Sequence, residues 1–140
     1  MLARPYSMLI IDDEQDVCEV LDTVLADHFG SDLNLVVTNS AREGLDHLKN
    51  EEFQIVLTDL NMPDHSGYDV GKTAMDKDRS TQVVYITGHV QMAVAMTCFR
   101  DGAAGMLTKP INLNNMLKIV RMCMERLDSW SETFGRLPPD

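Results

Sequence analysis

Positive charge is what this sequence has least of relative to its opposite. Twelve Lys and Arg stand against 22 Asp and Glu, for a formal net charge of −10. Phosphate-backbone binding needs a positive surface, so this balance argues against nucleic acid as a direct partner. An anionic membrane surface is disfavoured on the same ground. Long hydrophobic runs are missing as well, since no stretch nears the roughly 20 apolar residues of a membrane span. The start, MLARPYSMLIIDDE, is too short and too soon acidic for a secretory signal. Cysteine is sparse: Cys18, Cys98 and Cys123 form an odd set with no CxxC pair and no histidine at metal spacing. Such thiols fit a reduced, cytoplasmic protein that uses them as small buried hydrophobes. The four histidines are scattered, which leaves no soft-metal cluster. Internal repeats and low-complexity blocks are absent.

What is present suits one compact domain. The 140 residues are 44% hydrophobic and 24% charged, ordinary for a chain with a real core. Met8 to Ile11 is a short apolar run stopped by Asp12 and Asp13. Val17, Val20, Leu21, Val24, Leu25 and Phe29 then recur at helical spacing, and Gly30 ends that helix. Leu33 to Val37 reads as a second strand. Ser40 caps a helix through Lys49, with Glu43 three residues on as in a capping box. Phe53 to Thr58 is a third strand with Asp59 directly after it, and a polar loop with Pro63 and Gly67 leads to a helix ending near Lys77. Gln82 to Ile86 is a fourth strand, and a helix from about Gln91 to Arg100 stops at Gly102. Gly105 to Thr108 is a fifth strand, and Asn112 caps a last helix from Leu113. Five β-then-α units with continuous apolar strands predict an α/β fold, a doubly wound parallel sheet with helices on both faces.

Ligands of such folds sit at the carboxyl ends of the strands, where strand order reverses. That edge collects Asp12 and Asp13, Asp59, Thr87 and Lys109. Crowded carboxylates raise one another's pKa unless a cation intervenes. A hard divalent ion with oxygen ligands meets that need, and Mg²⁺, which takes one or two protein carboxylates and keeps waters, suits it better than Ca²⁺. A carboxylate can also act as nucleophile and form an aspartyl-phosphate, a reaction that asks mainly for positioning and charge neutralisation. Lys109 offers a point charge for one phosphoryl oxygen and the Thr87 hydroxyl a hydrogen bond for another. Gly88 leaves room beside them. Taken singly each residue has an ordinary role: an acidic pair as a solvated turn, a strand-end Thr as structure, a Lys before Pro as loop surface. Their shared edge favours the functional role. His89 reads as a pocket-rim residue, and the methionines (Met75, Met92, Met96, Met116 and Met124 among them) as core filler.

Four segments then resemble a known family. IIDDEQ, LTDLNMPDHSG, VVYITGH and MLTKPI are similar to the signature segments of response-regulator receiver domains, in the right order, over about residues 7 to 127. The stretch TGHVQMAVAMTCFRDGA is especially similar to receivers of nitrogen-regulation and nitrogen-fixation regulators. The resemblance implies a flavodoxin-like strand order 2-1-3-4-5 and phosphorylation of Asp59 by a sensor histidine kinase or phosphotransfer protein. It implies Mg²⁺ held by Asp13 and Asp59 carboxylates and the Asn61 carbonyl, with Asp12 acting largely through water. It assigns the phosphoryl oxygens to Thr87 and Lys109, and it implies a cis Lys109-Pro110 bond. It also implies a domain that is not an enzyme in its own right, though it assists its own phosphorylation and dephosphorylation. Two positions depart from the pattern. The aromatic switch residue usual three positions before the lysine is Met106, and the often acidic position before that is Gly105. The relay from Thr87 is thereby altered.

Two other readings fit the architecture less well. A flavin carrier would need a phosphate loop of backbone N–H donors after the first strand, where DDEQD repels phosphate. A phosphohydrolase with an Asp nucleophile would carry Asp-x-Asp on the first strand, whereas the nucleophile here lies on the third. The receiver is expected over residues 1 to 127, with 128 to 140 a helical extension or linker. Leu113, Met116, Val120, Cys123, Leu127, Trp130, Phe134 and Leu137 continue one seam at spacings of three and four. Past Leu127 the stripe either folds back, with Gly135 and Pro138 ending the helix, or meets a second copy or an output domain. A homodimer or output contact is thus expected on the fourth- and fifth-helix face and this extension. The sequence ends at LPPD without room for a further domain, so the chain reads as a stand-alone receiver or a piece of a longer protein.

Overall fold

The computed structural model describes residues 2–138. Its strands are β1 (Tyr6–Ile11), β2 (Leu33–Thr38), β3 (Ile55–Asp59), β4 (Gln82–Thr87) and β5 (Gly105–Thr108). All neighbours pair in parallel, in the order β2-β1-β3-β4-β5. The helices are α1 (Gln15–Phe29), α2 (Ala41–Asn50), α3 (Gly67–Lys77), α4 (Met92–Arg100) and α5 (Leu113–Arg136), with a 3-10 turn at Gly30–Asp32. Strand order reverses between β1 and β3, so the carboxyl ends of those two strands flank the crevice where such folds bind ligands.

Successive side chains of a strand point to opposite faces, and the two cores follow. Tyr6, Met8 and Ile10 of β1 join Leu21 and Leu25 of α1 and Met116, Val120, Cys123, Met124 and Leu127 of α5 on one face. Leu9 and Ile11 join Leu48 of α2, Val70 and Ala74 of α3 and Cys98 of α4 on the other. Central strands buried on both sides must be apolar throughout, which is why β3 is buried along its whole length.

Several local details differ from expectation. β3 begins at Ile55 and includes Asp59, so the carboxylate belongs to the strand's last paired residue, opposite Ile86. Phe53 is buried but lies outside the strand. The capping box at α2 is only half formed. Ser40 Oγ accepts from the Glu43 N–H at 3.2 Å, while the Glu43 carboxylate takes the Thr38 hydroxyl at 2.7 Å. Met75, Met116 and Met124 are core residues, but Met92 is 73% exposed and Met96 is also exposed, because α4 buries little beyond Cys98. The last helix runs unbroken to Arg136 with Gly135 inside it. Its seam is buried from Met116 through Leu127, while Leu113 at its start is exposed; beyond it Trp130 and Phe134 lie 58% and 50% exposed, their rings stacked at 5.8 Å. They do not fold back into the core.

At the end of the sheet away from the crevice, Arg4 clasps α5. Its Nε and Nη2 donate to Asp128 Oδ1 and Oδ2 at 3.2 and 2.7 Å, and Nη1 reaches Asp32 at 3.1 Å. The Tyr6 hydroxyl donates to Asp128 Oδ1 at 2.7 Å. The Arg4 hydrogen bonds, helped by Tyr6, hold the Asp128 carboxyl below the usual carboxylate range.

Candidate functional site

Four strand ends build the crevice. After β1, the chain turns through Asp12, whose Oδ1 accepts from the Glu14 N–H at 2.9 Å. Asp12 is 0% exposed. Its other oxygen, Oδ2, has no hydrogen-bond donor: Lys109 Nζ stands 3.1 Å away but outside hydrogen-bonding geometry. Burial pushes the Asp12 carboxyl up, as an incompletely solvated carboxylate demands. Asp13 beside it is exposed at the mouth, and burial followed by the charge of Asp59 raises it too.

At the end of β3, Asp59 is buried and its two oxygens are separately engaged. Oδ1 accepts from the Asn61 N–H at 3.0 Å and Oδ2 from Lys109 Nζ at 2.9 Å. The following loop is drawn tight by Gly67, whose N–H bonds the Leu60 carbonyl at 3.0 Å. A Cβ at that glycine would sit 1.6 Å from the Asp59 carbonyl oxygen, so no other residue fits without moving the loop. Ser66 caps α3 there.

Lys109 follows β5, with its N–H bonded to the Thr87 carbonyl at 2.8 Å and a cis peptide to Pro110, as the resemblance implied. Burial works against its charge, but the hydrogen bonds it donates to Asp59, Glu14 and Asp12 outweigh that and raise the ammonium well above its ordinary value. Thr87 ends β4, buried, its hydroxyl donating to the His89 carbonyl at 2.9 Å and lying 3.5 Å from Asn61 Nδ2. A hollow of about 490 Å³ opens beside it, lined by Asn61, Tyr68, Thr87, His89, Val94 and Thr97. His89 sits on that rim, as read from sequence, and no atom would crowd a Cβ on Gly88.

The site residues singled out from sequence therefore converge, with one exception. Asp12, Asp13 and Asp59 place carboxylate oxygens within 4.8 Å of one another. Asn61, Thr87 and Lys109 surround them. Met106 lies apart, on β5 opposite Tyr85, and packs partly buried against the α2, α3 and α4 face. Two residues escaped the sequence reading. Glu14 pairs with Lys109 Nζ at 3.0 Å, and the Tyr68 hydroxyl at the start of α3 donates to Asp101 at the end of α4. Glu14 had a signal in its place directly after the acidic pair, whereas Tyr68 had none.

Residues 8–121 match the family described as the response regulator receiver domain. The chain belongs to that family. Among curated relatives, the receiver is 31% identical over 112 residues to the response regulator protein PilR of Pseudomonas aeruginosa, covering 80% of this chain and 24% of that protein. It is 26% identical over 119 residues to the cell cycle transcriptional regulator CtrA of Caulobacter vibrioides, covering 85% of this chain and 50% of CtrA. The receiver thus spans half or less of these relatives. Among solved structures, a response regulator receiver domain protein from Clostridium thermocellum superposes with a TM-score of 0.79 at 24% identity, covering 89% of this chain and 98% of that one. A CheY-like receiver from Methanospirillum hungatei gives 0.78 at 22%, covering 89% and 97%. Their likeness is one of fold. The receiver is a phosphoacceptor signalling domain of the two-component kind, and no described helix is long and apolar enough to cross a membrane.

Proposed function

We propose that Asp59 is the phosphoacceptor, taking the phosphoryl group of a phosphohistidine on a sensor kinase or phosphotransfer protein. A carboxylate oxygen of Asp59 attacks phosphorus, the P–N bond breaks, and the donor's imidazole leaves as the acyl phosphate forms. One observation carries this reading. Asp59 is a buried carboxylate whose Oδ2 already lies 2.9 Å from the cation, Lys109, that can turn to the arriving phosphoryl oxygens.

The donor set fits Mg²⁺: oxygen ligands only, three carboxylates within reach, and the orphaned Oδ2 of Asp12. Asp13, Asp59 and the Asn61 carbonyl would hold the ion, with Asp12 acting largely through water. When bound, it neutralises the carboxylates and the phosphoryl charge. The same site assists dephosphorylation as well as phosphorylation.

Thr87 is the sensor. Its hydroxyl must leave the His89 carbonyl to meet a phosphoryl oxygen, which moves the loop into α4. That helix is loosely seated, so its face, with α5, is the one that changes toward a second copy or an output domain. Met106 has no phenol to complete the usual relay, so the change there is smaller or differently built. Residues 1 to 127 form the receiver and 128 to 140 the extension toward its output. The free, buried thiols support a cytoplasmic setting.

The test is incubation with acetyl phosphate and Mg²⁺. One acid-labile phosphoryl group is expected on the protein, and Asp59→Asn abolishes it because an amide is no nucleophile. Native-site labelling of Asp59→Asn overturns the assignment.

A further inference from the structure

Among the described residues, Glu14 is the one charged contact of the crevice that phosphoryl acceptance leaves without a role. It is the N-cap of α1, yet its side chain bonds none of the helix's free N–H groups. Its backbone is fixed on both sides, by Asp12 Oδ1 on its N–H and by the Cys18 N–H on its carbonyl at 3.1 Å. The carboxylate instead reaches across the mouth of the site to Lys109 Nζ at 3.0 Å while remaining 58% exposed. Lys109 is therefore shared by an inner pair, Asp12 and Asp59, and an outer partner, Glu14. Asp16 adds a second acidic group to the hollow beside the lysine, where Val17, Leu21, Pro110 and Ile111 supply apolar walls.

We propose that Glu14 is a specificity-determining residue for the phosphodonor, its carboxylate at the mouth selecting against small anionic donors and for a macromolecular donor that presents Lys or Arg. This rests on Asp59 as acceptor. A small phosphodonor must bring its negative charge past Glu14 unaccompanied, and two charges of like sign several ångströms apart near water lose roughly 3- to 10-fold in encounter. A protein donor can set a cation against Glu14. That cation takes over the outer pairing and leaves Lys109 to the phosphoryl oxygens as they arrive.

The experiment measures Asp59 labelling rates at saturating Mg²⁺ with two donors, dianionic acetyl phosphate and phosphoramidate, which carries less net charge near neutrality. Glu14→Gln is expected to label about 3- to 10-fold faster with acetyl phosphate at low salt. The gain shrinks toward unity at high salt, where the charge is screened, and it is smaller with phosphoramidate. Glu14→Asp, which keeps the charge, stays near the wild-type rates. Equal rates for wild type and Glu14→Gln, with Asp59 labelled in both, overturn the proposal and leave the acceptor assignment standing. A gain of the same size for both donors, unmoved by salt, also overturns it, since Glu14 would then only restrain Lys109. If neither protein is labelled at Asp59, the acceptor reading falls and this proposal with it.

Discussion

The two ends of the sheet use the same residue types to opposite effect. At the far end, both oxygens of Asp128 are filled by Arg4 and Tyr6, and the result is a staple between the N-terminal segment and α5. At the crevice, Asp12 is fully buried with one oxygen met only by the Lys109 ammonium, 3.1 Å away and outside hydrogen-bonding geometry, and Asp13 and Asp59 crowd it. A buried polar group without a partner costs free energy. The crevice therefore holds charge in a state the fold alone does not satisfy, which is the condition for a cation and a phosphoryl group to bind there. Satisfied charge at one end fixes the scaffold. Unsatisfied charge at the other end leaves a function to perform.

The largest effect that separates the ends follows from substituting one carboxylate at each. Asp12→Asn removes a buried charge with an orphaned oxygen, so without metal it should stabilise the fold by about 1 to 3 kcal/mol. Urea unfolding measures this directly. Mg²⁺ should stabilise the wild type by mass action, and do so much less in Asp12→Asn. Destabilisation by Asp12→Asn in metal-free buffer would mean the crevice is as well satisfied as the clasp, and the contrast would be lost.

Asp128→Asn tests the opposite end and should destabilise, by roughly 1 kcal/mol given the exposure of the pair. Its pH dependence has a definite sign. Asp128 lies below its ordinary value in the fold, with the Arg4 hydrogen bonds as the main cause. Its contribution is therefore complete at neutral pH and is lost as pH falls from the ordinary carboxylate range through the lowered folded value. The gap between wild type and Asp128→Asn should close over that acid window. A gap that persists after Asp128 is protonated would show that the clasp holds through shape rather than charge.

Much of the crevice was legible in the sequence because strand ends are marked locally. Apolar runs that stop at Asp12, Asp59 and Thr87 fix which residues reach the carboxyl edge, and a parallel sheet brings them together whatever the loops do. Lys109 was legible in the same way. What the pattern could not show was choice among partners, near or distant. Glu43 had a local partner in Ser40 and took Thr38 instead, and Glu14 pairs with a lysine 95 residues away. The Arg4 clasp closes across 124 residues with no periodicity to announce it. Gly135 was read as a helix end, but a glycine costs only about 1 kcal/mol inside a helix, and α5 continues through it.

The smallest effect lies along α5 itself, where the clasp at Asp128 separates the buried seam from the exposed one. Leu127 is 1% exposed and Trp130, one turn on, is 58% exposed. Truncating a buried leucine to alanine costs about 2 to 5 kcal/mol through lost contacts and a cavity. Trp130→Ala opens no cavity in the core and mainly loses the stack on Phe134, worth about 0.5 to 1.5 kcal/mol in a desolvated setting. Half of that ring pair is in water, so the expected cost is at the low end, roughly 0.5 kcal/mol. Trp130 is the single tryptophan, and its emission in dilute protein should be that of a water-exposed indole. A blue shift as protein concentration rises, or on phosphorylation of Asp59, would show the stripe being covered by another chain. A blue-shifted emission at every concentration, with a cost above 2 kcal/mol for Trp130→Ala, would instead make the extension part of the core. The clasp would then lie in the middle of the packed helix rather than at its boundary.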